Sequence, residues 1–217
     1  MTPIISIVIP CRATEDPSLT LDSLSNQTIH DFEVRIVFDT ESRGAPWARN
    51  QGARLATGEY LLFSDNDITW SPSALETMLD VLSKKRAEEA ASGYPDGWVT
   101  AYAYGGKTII DVPENVAPGG TLGPFGNEAW GHAALLRRNI VDTGALMARS
   151  CFPGWDESLK RLQDWDLWLT MLRKRLRGAW VGHALYTTPY RATGISFEGS
   201  GVSFEEAREI VMKKHGL

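Results

Sequence analysis

Short apolar runs alternate with amphipathic segments through the first half of the chain. Residues 4–9 are mostly β-branched and end at Pro10, a pattern that predicts a buried strand. Similar runs predict strands at residues 32–38 and 60–63. The segments that follow these strands predict helices beginning near Pro17, Pro46 and Pro72. This β-α-β-α-β-α order favours an α/β fold in which helices flank a mostly parallel sheet.

A second amphipathic pattern lies in the C-terminal half. If a helix begins near Asp164, four apolar side chains share the face of that residue: Leu167, Trp168, Met171 and Leu172. Asp166 is then about 200° away around the helix and is expected to face outward. A carboxylate that points inward at a helix N-terminus is unfavourable unless it is paired, caps the helix or takes part in a reaction. The pattern alone leaves Asp164 as either a helix cap or a catalytic group.

Composition excludes some classes of protein. At 217 residues the chain is long enough for one domain with a buried core. The formal charge of −5 disfavours nucleic acid as a partner, without excluding it. Cys11 and Cys151 lie far apart and outside any zinc-binding spacing, as expected for a reduced, cytoplasmic chain. No apolar run is long enough to cross a bilayer, so we expect no transmembrane segment.

Polar side chains follow directly after the three predicted strands. Arg12 follows the first strand, Asp39 the second, and Asp65 and Asp67 the third. In open α/β sheets, ligands bind beyond the carboxyl ends of the strands. Asp65 and Asp67 point the same way along an extended segment, and two such carboxylates suit Mg²⁺ or Mn²⁺ together with phosphate oxygens. The alternative is a solvated turn, because Ser-Asp-Asn-Asp is also typical of turns.

Four blocks of the sequence resemble the family 2 glycosyltransferases, which have the GT-A fold. The blocks are ISIVIPCR, SLSNQTIHDFEVRIVFD, ARNQGARLATGEYLLFSDND and FPGWDESLKRLQDWDLWLTML. The resemblance implies a Rossmann-like, mostly parallel sheet flanked by helices, in a single domain over residues 1–217. Residues 1–110 would form the half that binds the nucleotide-sugar donor. Residues 111–217 would form the half that holds the acceptor and the catalytic base.

Position by position, the resemblance implies donor-binding roles for seven residues: Pro10, Arg12, Asp39, Arg49, Asn50, Asp65 and Asn66. Asp39 would contact the base of the nucleotide. In the Asp-x-Asp motif, Asp67 would bind a Mn²⁺ or Mg²⁺ ion on the diphosphate, and Asp65 would lie nearer the sugar and share the ion. Asp164 matches the general base of the family, with Gln163 in place of the usual glutamate. From the residues alone, Asp39 equally suits a helix cap and Arg49 a surface side chain.

Two departures from the family pattern concern the donor site. The loop after the second predicted strand, residues 38–42 with the sequence FDTES, is shorter than the Asp-Asp-Gly-Ser loop of many relatives. The identity of the nucleotide therefore stays open. Near the C-terminus, Thr193 stands where relatives often have a histidine close to the metal. Arg191 and Thr193 are candidates for contacts from this C-terminal segment.

The segment between the two halves, residues 112–132, is rich in glycine and proline. A long loop near a site often acts as a lid or binds a second substrate. Trp130 and His132 are therefore candidates for contact with the acceptor, because sugar rings stack on aromatic faces. After this half, the chain predicts a closing amphipathic helix from about residue 203, with a packing face of four residues: Phe204, Ala207, Ile210 and Val211.

Three hypotheses about function follow. The leading one is an inverting glycosyltransferase that is dependent on a divalent metal and uses a nucleotide-sugar donor, with a UDP-sugar favoured. Its acceptor would be a glycan, a lipid-linked sugar or a protein. The second is a nucleotidyltransferase on a similar scaffold, which gives no account of the segment around Asp164. The third is a non-catalytic module that binds a sugar or nucleotide.

Overall fold

The computed structural model describes residues 2–94, 96–126, 128–191 and 201–217. Within these ranges, no helix combines the length and the apolar character needed to span a bilayer. In chain order the elements are β1 (Ile5–Arg12), α1 (Ser18–Ser25), β2 (Phe32–Asp39), α2 (Ala45–Leu55), β3 (Tyr60–Phe63), β4 (Thr69–Trp70), α3 (Ala74–Ser92), β5 (Val99–Ile110), β6 (Leu122–Phe125), α4 (His132–Arg137), β7 (Ala145–Ala148), a 3₁₀ turn (Arg149–Cys151), α5 (Gln163–Arg173), β8 (Leu176–Pro189) and α6 (Phe204–His215).

The N-terminal half is built around β1, which pairs in parallel with β2 on one side and β3 on the other. Residues 5–11 are all buried, because the strand lies inside the sheet with both faces covered. This burial explains the unbroken β-branched run in the sequence. The strands and helices predicted for this half are confirmed, with their bounds shifted by a few residues.

The sheet has the strand order β2-β1-β3-β7-β5-β8-β4, and β6 pairs with β5. Its two longest pairings, β1 with β2 and β5 with β8, are parallel. β7 joins the two halves and is antiparallel to both β3 and β5. The predicted α/β class with a mostly parallel sheet is thus confirmed. Because β7 runs antiparallel to β3, the turn that precedes β7 lies at the same edge as the end of β3.

The long strands β5 and β8 were not anticipated from the sequence pattern. The sequence of β5 contains two glycines and a lysine, and its pairing with β8 is interrupted by shifts in register. Gly105 is required there, since a Cβ atom at this position would lie 2.4 Å from Cγ of Leu185. Residues 112–132 are largely irregular, as predicted, apart from the short strand β6 and the start of α4.

Two predictions about the C-terminal helices are wrong. Asp166 was expected to face outward but is only 3% exposed, because α6 covers that face of α5. Its carboxylate accepts hydrogen bonds of 2.8 Å from Lys214 and from His215. On α6, Ala207 and Val211 pack inward as predicted, whereas Phe204 and Ile210 are about half exposed, at 47% and 50%. Periodicity showed that the helices are amphipathic but not which neighbour covers each face.

The contact between α2 and β1 depends on Gly52. A Cβ atom at this position would lie 2.2 Å from Cγ1 of Val8, which is fully buried. We expect Gly52→Ala to lower the free energy of unfolding by about 1–3 kcal/mol, because overpacking outweighs the better helix propensity of alanine. Urea denaturation of the two single variants and the double variant with Val8→Ala measures the coupling. Val8→Ala should relieve part of the loss, and strict additivity would contradict a steric origin.

Candidate active site

The Asp-x-Asp motif lies just beyond β3 and is held by an arginine from α2. Nη2 of Arg49 is 2.7 Å from Oδ1 of Asp65. The Arg49 side chain is only 7% exposed, whereas that of Asp65 is 44% exposed. A buried guanidinium needs a partner, and Asp65 provides one while keeping part of its carboxylate open to a ligand. Arg49 is therefore not the surface side chain that its sequence alone allowed.

Arg49 also joins the motif to the helix of the candidate base. Its Nη1 donates a hydrogen bond of 3.1 Å to Oε1 of Gln163, the first residue of α5. The guanidinium stacks over the ring of Trp155, 4.8 Å from the ring centroid. One side chain thus links the end of β3 to the start of α5, and Arg49 and Gln163 are 114 residues apart in the sequence.

Asp67 is in a more buried position than Asp65. Burial raises the pKa of the Asp67 carboxyl above its usual value, and the nearby charge of Asp65 raises it further. Arg191 acts in the opposite direction, with its Nε 2.8 Å from Oδ2 of Asp67. Both acids of the motif are therefore paired with an arginine, one from α2 and one that lies two residues after β8.

Other predicted donor residues surround this motif. Asn66 donates a hydrogen bond of 3.0 Å to Glu15, which also accepts one of 2.8 Å from the backbone N–H of Arg12. Pro10 and Arg12 belong to β1, and the Arg12 side chain is 68% exposed at the edge. The first and third strand ends are thus brought together, as predicted, with Glu15 as a link that sequence analysis missed.

Asp39 and Asn50 have structural partners of their own. The Asp39 carboxylate accepts hydrogen bonds from the backbone N–H groups of Arg43 and Gly44, at 2.9 and 2.6 Å. It therefore orders the turn before α2 but does not cap the helix, which begins after Gly44 and has no side-chain cap. Asn50 both donates to and accepts from the backbone of Trp155, at 2.9 Å in each case. Contact of either residue with a nucleotide stays a prediction.

Asp164 lies in the first turn of α5 with both carboxylate oxygens occupied. Oδ2 accepts a hydrogen bond of 2.7 Å from Nδ2 of Asn139, and Oδ1 accepts one of 3.0 Å from the backbone N–H of Trp165. Burial raises the pKa of Asp164 to about 6, and the charge of Asp142 adds to this effect. Hydrogen bonds and the ammonium of Lys107 oppose the rise. The result is a carboxylate poised to exchange a proton near neutral pH.

Sequence analysis missed a partly buried ion pair beside these acids. Nζ of Lys107 on β5 contacts Oδ2 of Asp142, and the hydroxyl of Tyr186 on β8 donates a hydrogen bond of 3.0 Å to the same oxygen. Lys107, Asp142 and Tyr186 line a pocket together with Asp65. The one signal in the sequence is a lysine within a strand-like run, KTII. Its partner acid lies 35 residues later, in a loop.

The candidates for acceptor contact lie elsewhere. Nε1 of Trp130 donates a hydrogen bond of 3.1 Å to the hydroxyl of Tyr102, and the rings of Trp130 and His132 both pack against Trp98. Trp98 precedes the first residue of β5, so this cluster lies toward the opposite end of that strand from Lys107. Thr193 is outside the described residues.

Asp65 and Asp67 suit a divalent cation by their chemistry. Both offer hard carboxylate oxygens, and the pKa of Asp67 is raised first by burial and then by the charge of Asp65, which a cation would offset. Across the described ranges, no group of three or more His, Cys, Asp or Glu side chains is arranged to hold an ion. A Mg²⁺ or Mn²⁺ ion here would therefore take its other ligands from water and phosphate oxygens, as is usual for Mg²⁺.

Solved structures share this architecture. Residues 1–349 of TarS from S. aureus, in complex with UDP-GlcNAc, superpose with a TM-score of 0.61 at 15% identity over 99% of this chain and 66% of that TarS chain. The mannosyltransferase PcManGT from Pyrobaculum calidifontis gives a TM-score of 0.58 at 14% identity over 90% of this chain and 59% of that protein. The fold is therefore of the GT-A type, as the sequence predicted.

The chain belongs to glycosyl transferase family 2, whose profile matches residues 14–144. A glycosyltransferase from Haemophilus influenzae is 34% identical over 103 residues, which cover 37% of this chain and 35% of that protein. The putative colanic acid biosynthesis glycosyl transferase WcaA from Escherichia coli is 25% identical over 148 residues, 66% of this chain and 48% of WcaA. The chain thus aligns with less than half the length of these relatives. The family match includes the Asp-x-Asp motif but ends before Asp164.

The raised pKa of Asp164 predicts a dependence of stability on pH. Because the folded protein raises this pKa from its usual value of 3.8 to about 6, ionisation of Asp164 destabilises the fold as the pH rises through this range. Asp164→Asn removes the effect. We expect the variant to gain about 1–3 kcal/mol in unfolding free energy over the wild type between pH 4 and pH 7. Urea denaturation at several pH values measures the difference, and a constant difference would contradict the prediction.

Proposed function

We propose that the chain is an inverting glycosyltransferase that moves a sugar from a nucleoside-diphosphate donor to an acceptor hydroxyl, with Asp164 as the general base. The observation that carries this proposal is the presence of two different carboxylate environments at one edge of the sheet. Asp65 and Asp67 are paired with arginines at the end of β3. Asp164 lies nearby in a partly buried position, with a pKa of about 6 that suits proton transfer. Membership of the family supports the class of reaction.

In this mechanism the acceptor oxygen attacks the anomeric carbon from the face opposite the diphosphate. As the new carbon–oxygen bond forms, Asp164 takes the hydroxyl proton. The bond between the anomeric carbon and the diphosphate oxygen breaks, and its electron pair leaves with the nucleoside diphosphate. A single displacement inverts the anomeric configuration and needs no protein nucleophile. Asn139 and the backbone of Trp165 orient the base by binding its two oxygens.

The donor half has a separate role, which is to hold the leaving group. Asp67 and Asp65 would hold Mn²⁺ or Mg²⁺, which when bound supplies positive charge to stabilise the departing diphosphate. Arg49 fixes the orientation of Asp65, and Arg12 is exposed at the adjacent strand end. Structures of TarS with UDP-GlcNAc and of PcManGT with GDP-Man and Mn²⁺ support a nucleotide-sugar donor and a divalent metal. Among donors we favour a UDP-sugar.

The two halves of the chain would then divide the reaction. Residues 1–110 would bind the donor, and residues 111–217 would supply the base and bind the acceptor. A glycan, a lipid-linked sugar or a protein would present the acceptor hydroxyl. Arg49 and Lys107 belong to the first half but contact Gln163 and Asp142 of the second. These contacts would hold Asp164 at a fixed position relative to the donor.

The direct test is a screen of donor turnover. Wild-type protein is incubated with UDP-, GDP-, dTDP- and CMP-sugars, with Mn²⁺ or Mg²⁺ and a panel of acceptors. We expect metal-dependent release of a nucleoside diphosphate from one donor, reduced at least about a hundredfold in both Asp67→Ala and Asp164→Asn, because each removes a group that acts in the transition state. Asp80→Ala, at an exposed position on α3, is the matched control and should retain activity.

Each other outcome points to a different function. Release of pyrophosphate would indicate a nucleotidyltransferase. Nucleotide binding by calorimetry without turnover of any donor would indicate a non-catalytic module. Retention of the anomeric configuration in the product, observed by NMR, would exclude the single displacement. Full activity of Asp164→Asn would exclude Asp164 as the base.

The ion pair between Arg191 and Asp67 predicts competition with the metal. The guanidinium is paired with one oxygen of Asp67, so a bound cation and Arg191 compete for the negative charge of the same carboxylate. Arg191→Gln should therefore bind Mn²⁺ about two- to fivefold more tightly than wild type without donor, an effect of the size expected for a partly exposed ion pair. Electron paramagnetic resonance of free Mn²⁺ measures the affinity. Lys85→Gln, which removes an equal charge on α3, is the control. Equal or weaker binding by Arg191→Gln would contradict the competition.

A further inference from the structure

The turn before β7 contributes one direct contact to the candidate base and one charge that acts on it. Asn139 donates a hydrogen bond of 2.7 Å to Oδ2 of Asp164. Three residues later, Asp142 forms the ion pair with Lys107. This turn connects α4 to β7, and none of its residues belongs to the donor-binding set predicted from the sequence.

The position of Asp142 is fixed by side chains from two strands and by the backbone of the next residue. Lys107 reaches it from β5, Tyr186 donates to it from β8, and the backbone N–H of Thr143 donates to its Oδ1 at 2.8 Å. The neighbouring Gly144 allows the turn to pack closely, because a Cβ atom there would lie 2.9 Å from the rings of both Trp70 and Tyr186. The turn is therefore anchored independently of Asp164.

We propose that Asn139 and the Lys107–Asp142 ion pair are positioning residues that orient the carboxylate of Asp164 and set the electrostatic field around it. The proposal rests on the role of Asp164 as the general base. It gives the ion pair a role in this pocket, because the charges of Asp142 and Lys107 both act on Asp164, and Lys107 also interacts with Asp65.

The charges around Asp164 act in opposite directions. Asp142 from the turn raises the pKa of the Asp164 carboxyl, in addition to the larger effect of burial. Lys107 from β5 and the hydrogen bond from Asn139 lower it. Tyr186 from β8 also faces this group, but its phenol stays neutral because burial raises its pKa well above the usual value. On the α2 side, the charge of Arg49 is paired with Asp65.

Two substitutions in the same turn should therefore shift the pKa of Asp164 in opposite directions. Asp142→Asn removes a negative charge and frees Lys107 to act on Asp164, so its pKa should fall by about one unit. Asn139→Ala removes a hydrogen bond to the ionised form, so the pKa should rise by about half a unit to one unit. A turn with a merely structural role would move both values in the same direction or not at all.

The experiment has two measurements. Carboxyl ¹³C NMR of aspartate-labelled protein, without donor or metal, follows the titration of Asp164, which is assigned by its absence in Asp164→Asn. The pH profile of kcat/KM follows the same group during turnover. Asp96→Asn is the matched control, since Asp96 is also paired with a cation on a sheet strand, Arg177 on β8, but near the opposite end of β5. It should leave the titration of Asp164 unchanged.

The outcomes separate this proposal from the proposed function. Opposite shifts in the two variants, with donor KM changed less than about twofold, support the positioning role. Unchanged or parallel shifts overturn it, even if Asp164→Asn is inactive. Full turnover by Asp164→Asn would overturn the role of the base itself. If Asp142→Asn does not fold, Asn139→Ala alone decides the question. An upward shift in the pKa of Asp164 in that variant supports the proposal, and no shift overturns it.

Discussion

The buried guanidinium of Arg49 is the constraint on which the arrangement of the site depends. A charge in a protein interior must be paired, and this one is paired at one end with Asp65 and hydrogen-bonded at the other to Gln163. Because Arg49 comes from α2, Asp65 from the end of β3 and Gln163 from the start of α5, one side chain fixes three elements. Gly52, on the same helix, allows α2 to lie close enough to β1 for this contact.

The site keeps its acids in two environments that impose different chemistry. Asp65 and Asp67 lie where arginines offset their charge, and Asp65 stays partly open to a ligand. Asp164 lies where burial favours its neutral form, and its pKa is about 6. Lys107 is close enough to act on both Asp65 and Asp164, while its direct partner is Asp142. When environments differ in this way, some carboxylates of one scaffold can bind a cation while another accepts a proton at the same pH.

The predictions that succeeded rest on local sequence patterns. Those that failed depend on contacts with elements that are distant in the sequence. The strands that contain Val8 and Leu62 were predicted from short, continuous apolar runs, which are typical of buried strands. Asp166 failed because periodicity gives the angle around a helix, whereas α6 decides which face is covered. The pair of Lys107 and Asp142 was missed for the same reason, since no spacing rule joins a strand residue to a loop residue 35 positions later.

The sequence by itself determined the α/β class, the family and the acids at the strand ends, because these follow from periodicity and from short motifs contiguous in the chain. Only the tertiary structure decided which cation neutralises each acid and how strongly the pKa of Asp164 is raised. Those properties depend on burial and on distances between groups far apart in sequence. They exist only once β5, α5 and the turn carrying Asn139 have packed together.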